Sequence, residues 1–467
     1  MDNEPRRYGT LGRAPGTGGR AVRGGLAVAV GLLALLVPLT PASASGGAPV
    51  PATLGDGVPP AAAVPGSGTP EPSAPGAGAL PTAAAPGSGT TPAPSGSGAP
   101  VPENSKASGD VPVTAARLPA PTGPHPVGTV SLYLKDTSRP DPWVPSVKVR
   151  ELMVSLWYPA ASRHGRRAPY MTPQESEALL KGEGLTDLPP GVLAETRTNA
   201  VLGARPAGRG HGLPLVVLSP GFIRSRKTLT GLAEELASRG YVVAGIDHTY
   251  ESRGTSFPDG RLATCVACEV DHEEGFGEKA VAVRAADVSF VLDELTGPRP
   301  KWAGASLIDP GRIAMAGHSL GGASSLAAML KDGRVRAGID MDGTTYAPIP
   351  QEGIARPFMF LASPEHTPGG ASPAWDRDWG LMTGWKRWLT VAGAQHSSFT
   401  DLISLADQLG VPHEGELSGD RSMKITRDYV LAFFDRHLRG RSRPLLDGPS
   451  AHYPEVGHCS PPRNTCS

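Results

Sequence analysis

The chain has 467 residues, and its 44 basic and 44 acidic side chains cancel. That balance gives no reason to expect a nucleic-acid or a general acidic partner. Composition is uneven: Ala, Pro, Gly, Ser and Thr dominate as far as Gly128, whereas the remainder mixes apolar, charged and aromatic residues and can bury one large core.

Residues 1–44 read as an export signal. Arg6, Arg7, Arg13, Arg20 and Arg23 precede an uncharged apolar run, Gly24 to Val37, and Ala42-Ser43-Ala44 supplies the small residues that signal peptidase needs. The run is short for a membrane span, so cleavage and secretion are expected, with a retained anchor as the lesser reading. Arg6-Arg7 raises a twin-arginine route, but Tyr8-Gly9-Thr10 fits that pattern poorly, and both export routes stay open. Residues 45–127 form a low-complexity arm with near-copies at Val64 to Pro70 and Ala85 to Pro92. Almost without large apolar residues, the arm cannot offset the entropy of ordering and is expected to be disordered. It reads equally as a spacer near a cell wall or membrane surface and as an unselected tail.

Residues 128–467 are expected to form the catalytic domain. Thr129 to Leu134 and Val147 to Tyr158 have the β-branched, alternating content of strands, and Pro159 ends the second. Leu215 to Leu218 is a short, wholly apolar run, as in a buried parallel strand. An amphipathic helix follows, with Leu229, Leu232, Ala233, Leu236 and Ala237 on one face and Gly240 as its stop. Then come a strand at Tyr241 to Ile246, a long helix carrying Val281, Ala285, Val288, Leu292 and Leu295, and a strand at Arg312 to Ala316. Further strands are predicted at Val335 to Met341, Phe358 to Leu361 and Arg387 to Val391, with a last helix around Ile425 to Leu438. Strands alternating with helices predict an α/β fold, a mostly parallel sheet covered on both faces, whose ligands bind at the carboxyl ends of the strands.

Gly317-His318-Ser319-Leu320-Gly321 reads G-x-S-x-G. In a chain with 60 glycines the motif alone is weak. Its frame is stronger: a strand precedes it and a helix-like run, Gly322 to Leu330, follows. In such a turn the serine is pushed out at the strand tip and the helix directs its free N–H groups at the reacting group. Ser319 is therefore the candidate nucleophile. Six histidines follow it (His366, His396, His413, His437, His452 and His458), and only His396 sits just beyond a strong strand, the expected last one of the sheet. Two acids compete to orient it. Asp342 ends the strand after the nucleophile helix and Glu365 ends the next; Asp340 reads better as a buried or capping residue. The backbone N–H groups of Leu320 and, from Ser219-Pro220-Gly221-Phe222, of Phe222 are the candidate oxyanion donors, since Pro220 has none. Trp375, Trp379, Trp385 and Trp388 cluster in and before the strand leading to His396, two expected in the core and the others available to an acyl pocket.

All four cysteines lie late in the chain. In an exported protein Cys265 with Cys268, and Cys459 with Cys466, are the preferred disulfides. A zinc site from four thiolates is the sharper alternative, but the second pair lacks knuckle spacing.

Several motifs then recur in order: Arg150-Glu-Leu-Met-Val-Ser-Leu-Trp-Tyr-Pro-Ala160, Ser219-Pro-Gly-Phe222, Ser238-Arg-Gly-Tyr-Val-Val243, Asp247-His248, Gly317-His-Ser-Leu-Gly-Gly322, Gly338-Ile-Asp-Met-Asp342 and Gln395-His-Ser-Ser-Phe399. Together they resemble the plasma-type platelet-activating-factor acetylhydrolases and related secreted actinomycete lipases, within the α/β-hydrolase superfamily, over Gly128 to Gly440. The resemblance implies a Ser319–Asp342–His396 triad with its acid early, oxyanion donors at Phe222 and Leu320, no metal and no cofactor, and hydrolysis of short acyl esters, including sn-2 acetyl groups of phospholipids. The chain departs from the family in its long arm, its cysteines, and Pro220 where animal members carry His. A monomer acting on a small lipid or ester substrate is expected. The rivals are a cutinase-like polyester or triacylglycerol hydrolase using the same triad, and a non-catalytic wall-associated binding module.

Overall fold

The computed structural model describes residues 115–370 and 373–467. The expected signal segment and most of the expected arm therefore lie outside the described residues. The chain opens with an antiparallel pair, β1 (Val127–Asp136) and β2 (Arg150–Pro159), followed by β3 (Arg167–Pro169), helix α1 (Pro173–Gly182) and β4 (Arg197–Leu202). The alternating part comprises β5 (Leu213–Ser219), α2 (Thr230–Ser238), β6 (Val242–Asp247), α3 (Phe276–Thr296), β9 (Ile308–His318), α4 (Leu320–Lys331), β10 (Val335–Met341), β11 (Phe358–Ala362), α5 (Pro373–Leu381) and β12 (Lys386–Val391). A two-residue hairpin, β7 (Thr255–Ser256) with β8 (Leu262–Ala263), interrupts it after β6. Helices α6 (Asp401–Leu409) and α7 (Gly419–Arg439) and the strands β13 (Val456–Ser460) and β14 (Thr465–Cys466) complete the described chain.

Among the described residues twelve strands form one sheet in the order β14-β13-β12-β11-β10-β9-β5-β6-β2-β1-β4-β3. From β6 to β12 every neighbouring pair is parallel, and antiparallel strands flank that block on either side. Side chains alternate between two cores, which explains why the central strands are apolar throughout. Leu215, Val217, Ile313 and Met315 pack on one face with α3 and α4, while Val216, Leu218, Ala314 and Ala316 pack on the other with α2 and α7. Each fully buried Leu, Val or Ile contributes roughly 1.5–3 kcal/mol. This is the α/β-hydrolase architecture.

Three differences from the sequence reading have physical causes. First, residues 115–127, assigned to the arm on composition, are ordered against the domain. Ala116 and Leu118 are buried with residues of α1 and α6, Thr122 donates its N–H and its hydroxyl to Glu235, and Arg427 donates to the carbonyls of Pro119 and Ala120. Two small apolar anchors and a few backbone carbonyls suffice, which a composition average hides. Second, β12 is not the last strand: β13 pairs antiparallel with it and β14 with β13. Third, α7 starts six residues before Ile425, because Ser418 caps it by accepting from the Arg421 N–H at 3.3 Å.

The cysteines form the two local disulfides, Cys265–Cys268 and Cys459–Cys466. All four sulfurs are thereby used, and the four-thiolate zinc alternative falls away. No helix among the described residues is long and apolar enough to cross a membrane.

Candidate active site

Ser319 sits between β9 and α4 with φ 55° and ψ −128°, a sparsely populated backbone that costs roughly 1–3 kcal/mol for a residue with a Cβ. Its surroundings enforce the turn. A Cβ on Gly321 would lie 2.0 Å from the Ser219 carbonyl oxygen, and one on Gly317 would lie 2.2 Å from the Gly321 carbonyl oxygen. The Ser319 N–H donates to the Met341 carbonyl at 2.8 Å, pinning the tip of β9 to that of β10. The residue itself is partly exposed while its neighbour His318 is buried.

Asp342 leaves β10 in a left-handed conformation, φ 61°, which swings its carboxylate across the sheet. Its Oδ2 accepts from His396 Nδ1 at 2.7 Å, and its Oδ1 accepts from the Ser363 N–H at 2.6 Å. Burial works to raise this acid; the hydrogen bond and charge of His396, with help from the Ser363 N–H, outweigh it and hold the carboxyl at about 2. The turn after Asp342 is itself supported. The Gly343 N–H donates to Asp340 Oδ1 at 2.9 Å, Trp375 Nε1 donates to the Gly343 carbonyl at 2.6 Å, and a Cβ on Gly343 would strike the Ser319 carbonyl oxygen at 2.0 Å. Burial pushes the Asp340 carboxyl well above its ordinary range.

His396 opens a short 3-10 turn, His396–Phe399, after β12. With Nδ1–H given to Asp342, its Nε2 lone pair remains free to accept a proton. The ring is also fixed from behind. His318 Nε2 donates to the His396 carbonyl at 2.8 Å and the two rings are 4.6 Å apart, so the residue beside Ser319 ties the imidazole to the nucleophile turn. Glu365 is exposed in the turn after β11 and makes no hydrogen bond to His396.

The N–H groups of Gly221, Phe222, Leu320 and Gly321 donate to no acceptor among the described residues, whereas those of Ile223, Arg224, Gly322 and Ala323 all do. Gly221 brings the two loops together, since a Cβ there would lie 3.2 Å from Ser319 Cβ. The Phe222 ring packs edge-on against Phe276, and Phe276 against Trp143, with centroids 5.1 and 5.5 Å apart. Two of the four tryptophans lie in the core, as many as the sequence reading expected. Trp375 and Trp388 are core residues; Trp379 is partly buried beside Trp388; Trp385 packs on Phe433 and His437 of α7, on the other face of the sheet.

The sequence profile of the platelet-activating factor acetylhydrolase, isoform II, family matches residues 112–268 and 305–443. The chain belongs to this family. A probable 1-alkyl-2-acetylglycerophosphocholine esterase of Arthroderma benhamiae is 29% identical over 376 residues, spanning 73% of this chain and 92% of that relative. The platelet-activating factor acetylhydrolase of Gallus gallus is 24% identical over 367 residues, 69% of this chain and 84% of its own. Among solved structures, a ferulic acid esterase from Streptomyces cinnamoneus superposes with a TM-score of 0.66 at 44% identity, covering 74% of this chain and 100% of that one. The protein is accordingly a carboxylic ester hydrolase of the platelet-activating-factor-acetylhydrolase type.

Proposed function

We propose that the protein is an exported serine esterase working through Ser319, His396 and Asp342. His396 Nε2 takes the Ser319 hydroxyl proton as Oγ attacks the acyl carbon. The N–H groups of Phe222 and Leu320 hold the oxyanion, and the imidazolium returns the proton to the departing alkoxide. Water, deprotonated by the same imidazole, then releases the acid from the acyl-enzyme. Asp342 keeps Nδ1 protonated and stabilises the imidazolium. The observation that carries this reading is the His396–Asp342 hydrogen bond beside a strained serine flanked by N–H groups without an acceptor, those of Phe222 and Leu320 among them.

Small acyl esters, including 2-acetyl glycerophospholipids, are the substrate class. Among the described residues only Leu202 is a large hydrophobic side chain counted as exposed, at 38%. That surface gives little purchase on a lipid droplet or polymer, which weighs against the cutinase-like alternative. A second reading, esters of aromatic acids, is favoured by the identity to the ferulic acid esterase and by the Phe222–Phe276–Trp143 ring series beside the proposed oxyanion site.

A fluorophosphonate probe should label the wild type and not Ser319→Ala, which should fold normally. Turnover on a p-nitrophenyl ester chain-length series, an alkyl-acetylglycerophosphocholine, methyl ferulate, tributyrin and a polyester then ranks the substrate readings. Persistent labelling of Ser319→Ala would move the nucleophile elsewhere.

A further inference from the structure

A second serine–histidine–aspartate array lies behind the proposed oxyanion loop. Ser219, the last residue of β5, has its Oγ 2.9 Å from His248 Nε2, and His248 Nδ1 is 2.8 Å from Asp287 Oδ2. Ser219 and Asp287 are 0% exposed and His248 is 2% exposed, so no substrate reaches this serine. Asp287 is gripped from its far side by Arg150, whose Nε meets Oδ1 at 3.1 Å and whose Nη2 meets Oδ2 at 2.8 Å, and by Arg139.

The protons in this array have a single consistent arrangement. Burial raises Asp287, but the charge of Arg150 and hydrogen bonds from His248 and Arg150 hold it far below the usual carboxylate range. Burial, then the charge of Arg284, lowers His248 against the pull of Asp287. The imidazole is therefore neutral, with Nδ1–H donated to Asp287 and Nε2 left to accept, which makes the Ser219 hydroxyl the donor. The Ser219 oxygen in turn accepts from Arg284 Nη1 at 3.3 Å, and the same nitrogen donates to the Pro220 carbonyl at 2.6 Å. Arg284 is anchored through Nε to Glu251 Oε2 at 2.7 Å, and Glu251 Oε1 accepts from Trp143 Nε1 at 2.9 Å. Arg284 and Asp287 both lie in the 269–304 stretch outside the residues that the family profile matches.

We propose that Ser219, His248, Asp287 and Arg284 form a clamp that fixes the Ser219–Phe222 turn and so aims the Phe222 N–H at the oxyanion. The proposal rests on the serine-esterase reading above, and these are positioning residues that never touch substrate. The turn needs such a hold. Pro220 has no N–H, Gly221 has no side chain, and a Cβ at Gly221 would come within 2.9 Å of His318 Nδ1. Beyond the Gly221 carbonyl, which accepts from the Arg224 N–H at 3.2 Å, and the Ile223 N–H, which donates to the Glu251 carbonyl at 2.9 Å, its fixed points are the Ser219 hydroxyl and the Pro220 carbonyl, the two atoms the clamp holds. A donor displaced by a fraction of an ångström loses much of its effect, and one oxyanion donor is worth roughly 10²–10³ in kcat.

The test compares Ser219→Ala, Ser219→Thr and Arg284→Lys with the wild type on p-nitrophenyl acetate. Rates are normalised to active sites titrated with a fluorophosphonate, and the affinity of phenylboronic acid, whose serine adduct is tetrahedral, is measured alongside. Ser219→Ala and Arg284→Lys should lower kcat roughly 10- to 100-fold with KM within about 2-fold and boronate affinity falling in step with kcat. Ser219→Thr, which keeps the hydroxyl, should recover much of the loss. Unchanged kcat per titrated site, a loss confined to KM, or boronate affinity that does not follow kcat would overturn the clamp. A wild type with no titratable serine and no turnover would instead overturn the esterase reading on which it rests.

Discussion

Asp342 Oδ2 and His396 Nδ1 meet at 2.7 Å although 54 residues of chain separate them. Glu365, the rival acid, is exposed in a turn after β11. Asp342→Asn should therefore lower kcat by roughly 10⁴, since an amide no longer enforces the tautomer or stabilises the imidazolium. Glu365→Gln should stay near wild type. Steady-state kinetics on folded variants decide, and the opposite ranking would hand the orienting role to Glu365.

The buried His318 predicts an acid-sensitive fold. Burial, then the charge of His396, lowers its pKa to about 3 from 6.5. Between those values the unfolded chain binds the proton and the folded one does not. The stability associated with this histidine is thus fully present above about 6.5 and drains away as pH falls toward about 3, by a few kcal/mol in all. Asp342 adds a separate loss only lower, from its ordinary 3.8 down to about 2. Urea unfolding at pH 7 and pH 4.5 should show a drop for the wild type that His318→Gln makes smaller without removing, because burial lowers His248, His366, His437 and His458 in the same way; an identical drop in both would assign it wholly to those other groups.

The ordered segment before β1 predicts where the domain can be cut. A chain beginning at residue 128 lacks buried Ala116 and Leu118 and the bonds to Glu235 and Arg427. Relative to one beginning at residue 112, its melting temperature should fall by roughly 3–6 °C, consistent with a few kcal/mol in a domain of this size. Turnover per titrated site should be unchanged, because the segment lies against α1, α2, α6 and α7 rather than against Ser319. Equal melting temperatures would mean that residues 115–127 contribute no net stability.

The disulfide between Cys459 and Cys466 closes the β13–β14 hairpin beside the strand that leads to His396. Replacing both by Ser should cost about 2 kcal/mol, read by urea unfolding, while kcat on a soluble ester holds within about 2-fold. A large fall in kcat without loss of stability would mean that the hairpin shapes the His396 loop directly.

Much of this fold was legible because its central strands are short apolar runs separated by helical periodicity. The strand predicted at Val335 to Met341 is β10 residue for residue, and the strands bearing Ser319 and leading to His396 lie where their apolar runs lie. The choice of acid was not legible from pattern, since both Asp342 and Glu365 follow strands. What separates them is the left-handed backbone at Asp342 and the crowding of Gly343 against Ser319, which are tertiary facts. Helix α1 went unread although Thr172-Pro173-Gln174-Glu175 carries a capping box and a first-turn proline, because few large apolar residues follow it. The Ser219–His248–Asp287 array was invisible for another reason: Asp287 lies on α3, 39 residues from His248, and nothing local marks it as a partner.

The two ends of the twelve-stranded sheet are unlike its middle. At one end the sheet stops in β3, the three residues Arg167–Pro169, and at the other in β14, the two residues Thr465–Cys466 after the Pro461–Arg463 turn. Among the described residues neither rim offers the long row of unpaired N–H and C=O groups on which another chain nucleates, and one of them carries a proline and an arginine. So extensive a sheet would otherwise be a template for intermolecular ladders. Finished in this way, the described sheet leaves little free backbone along which copies could zip together edge to edge.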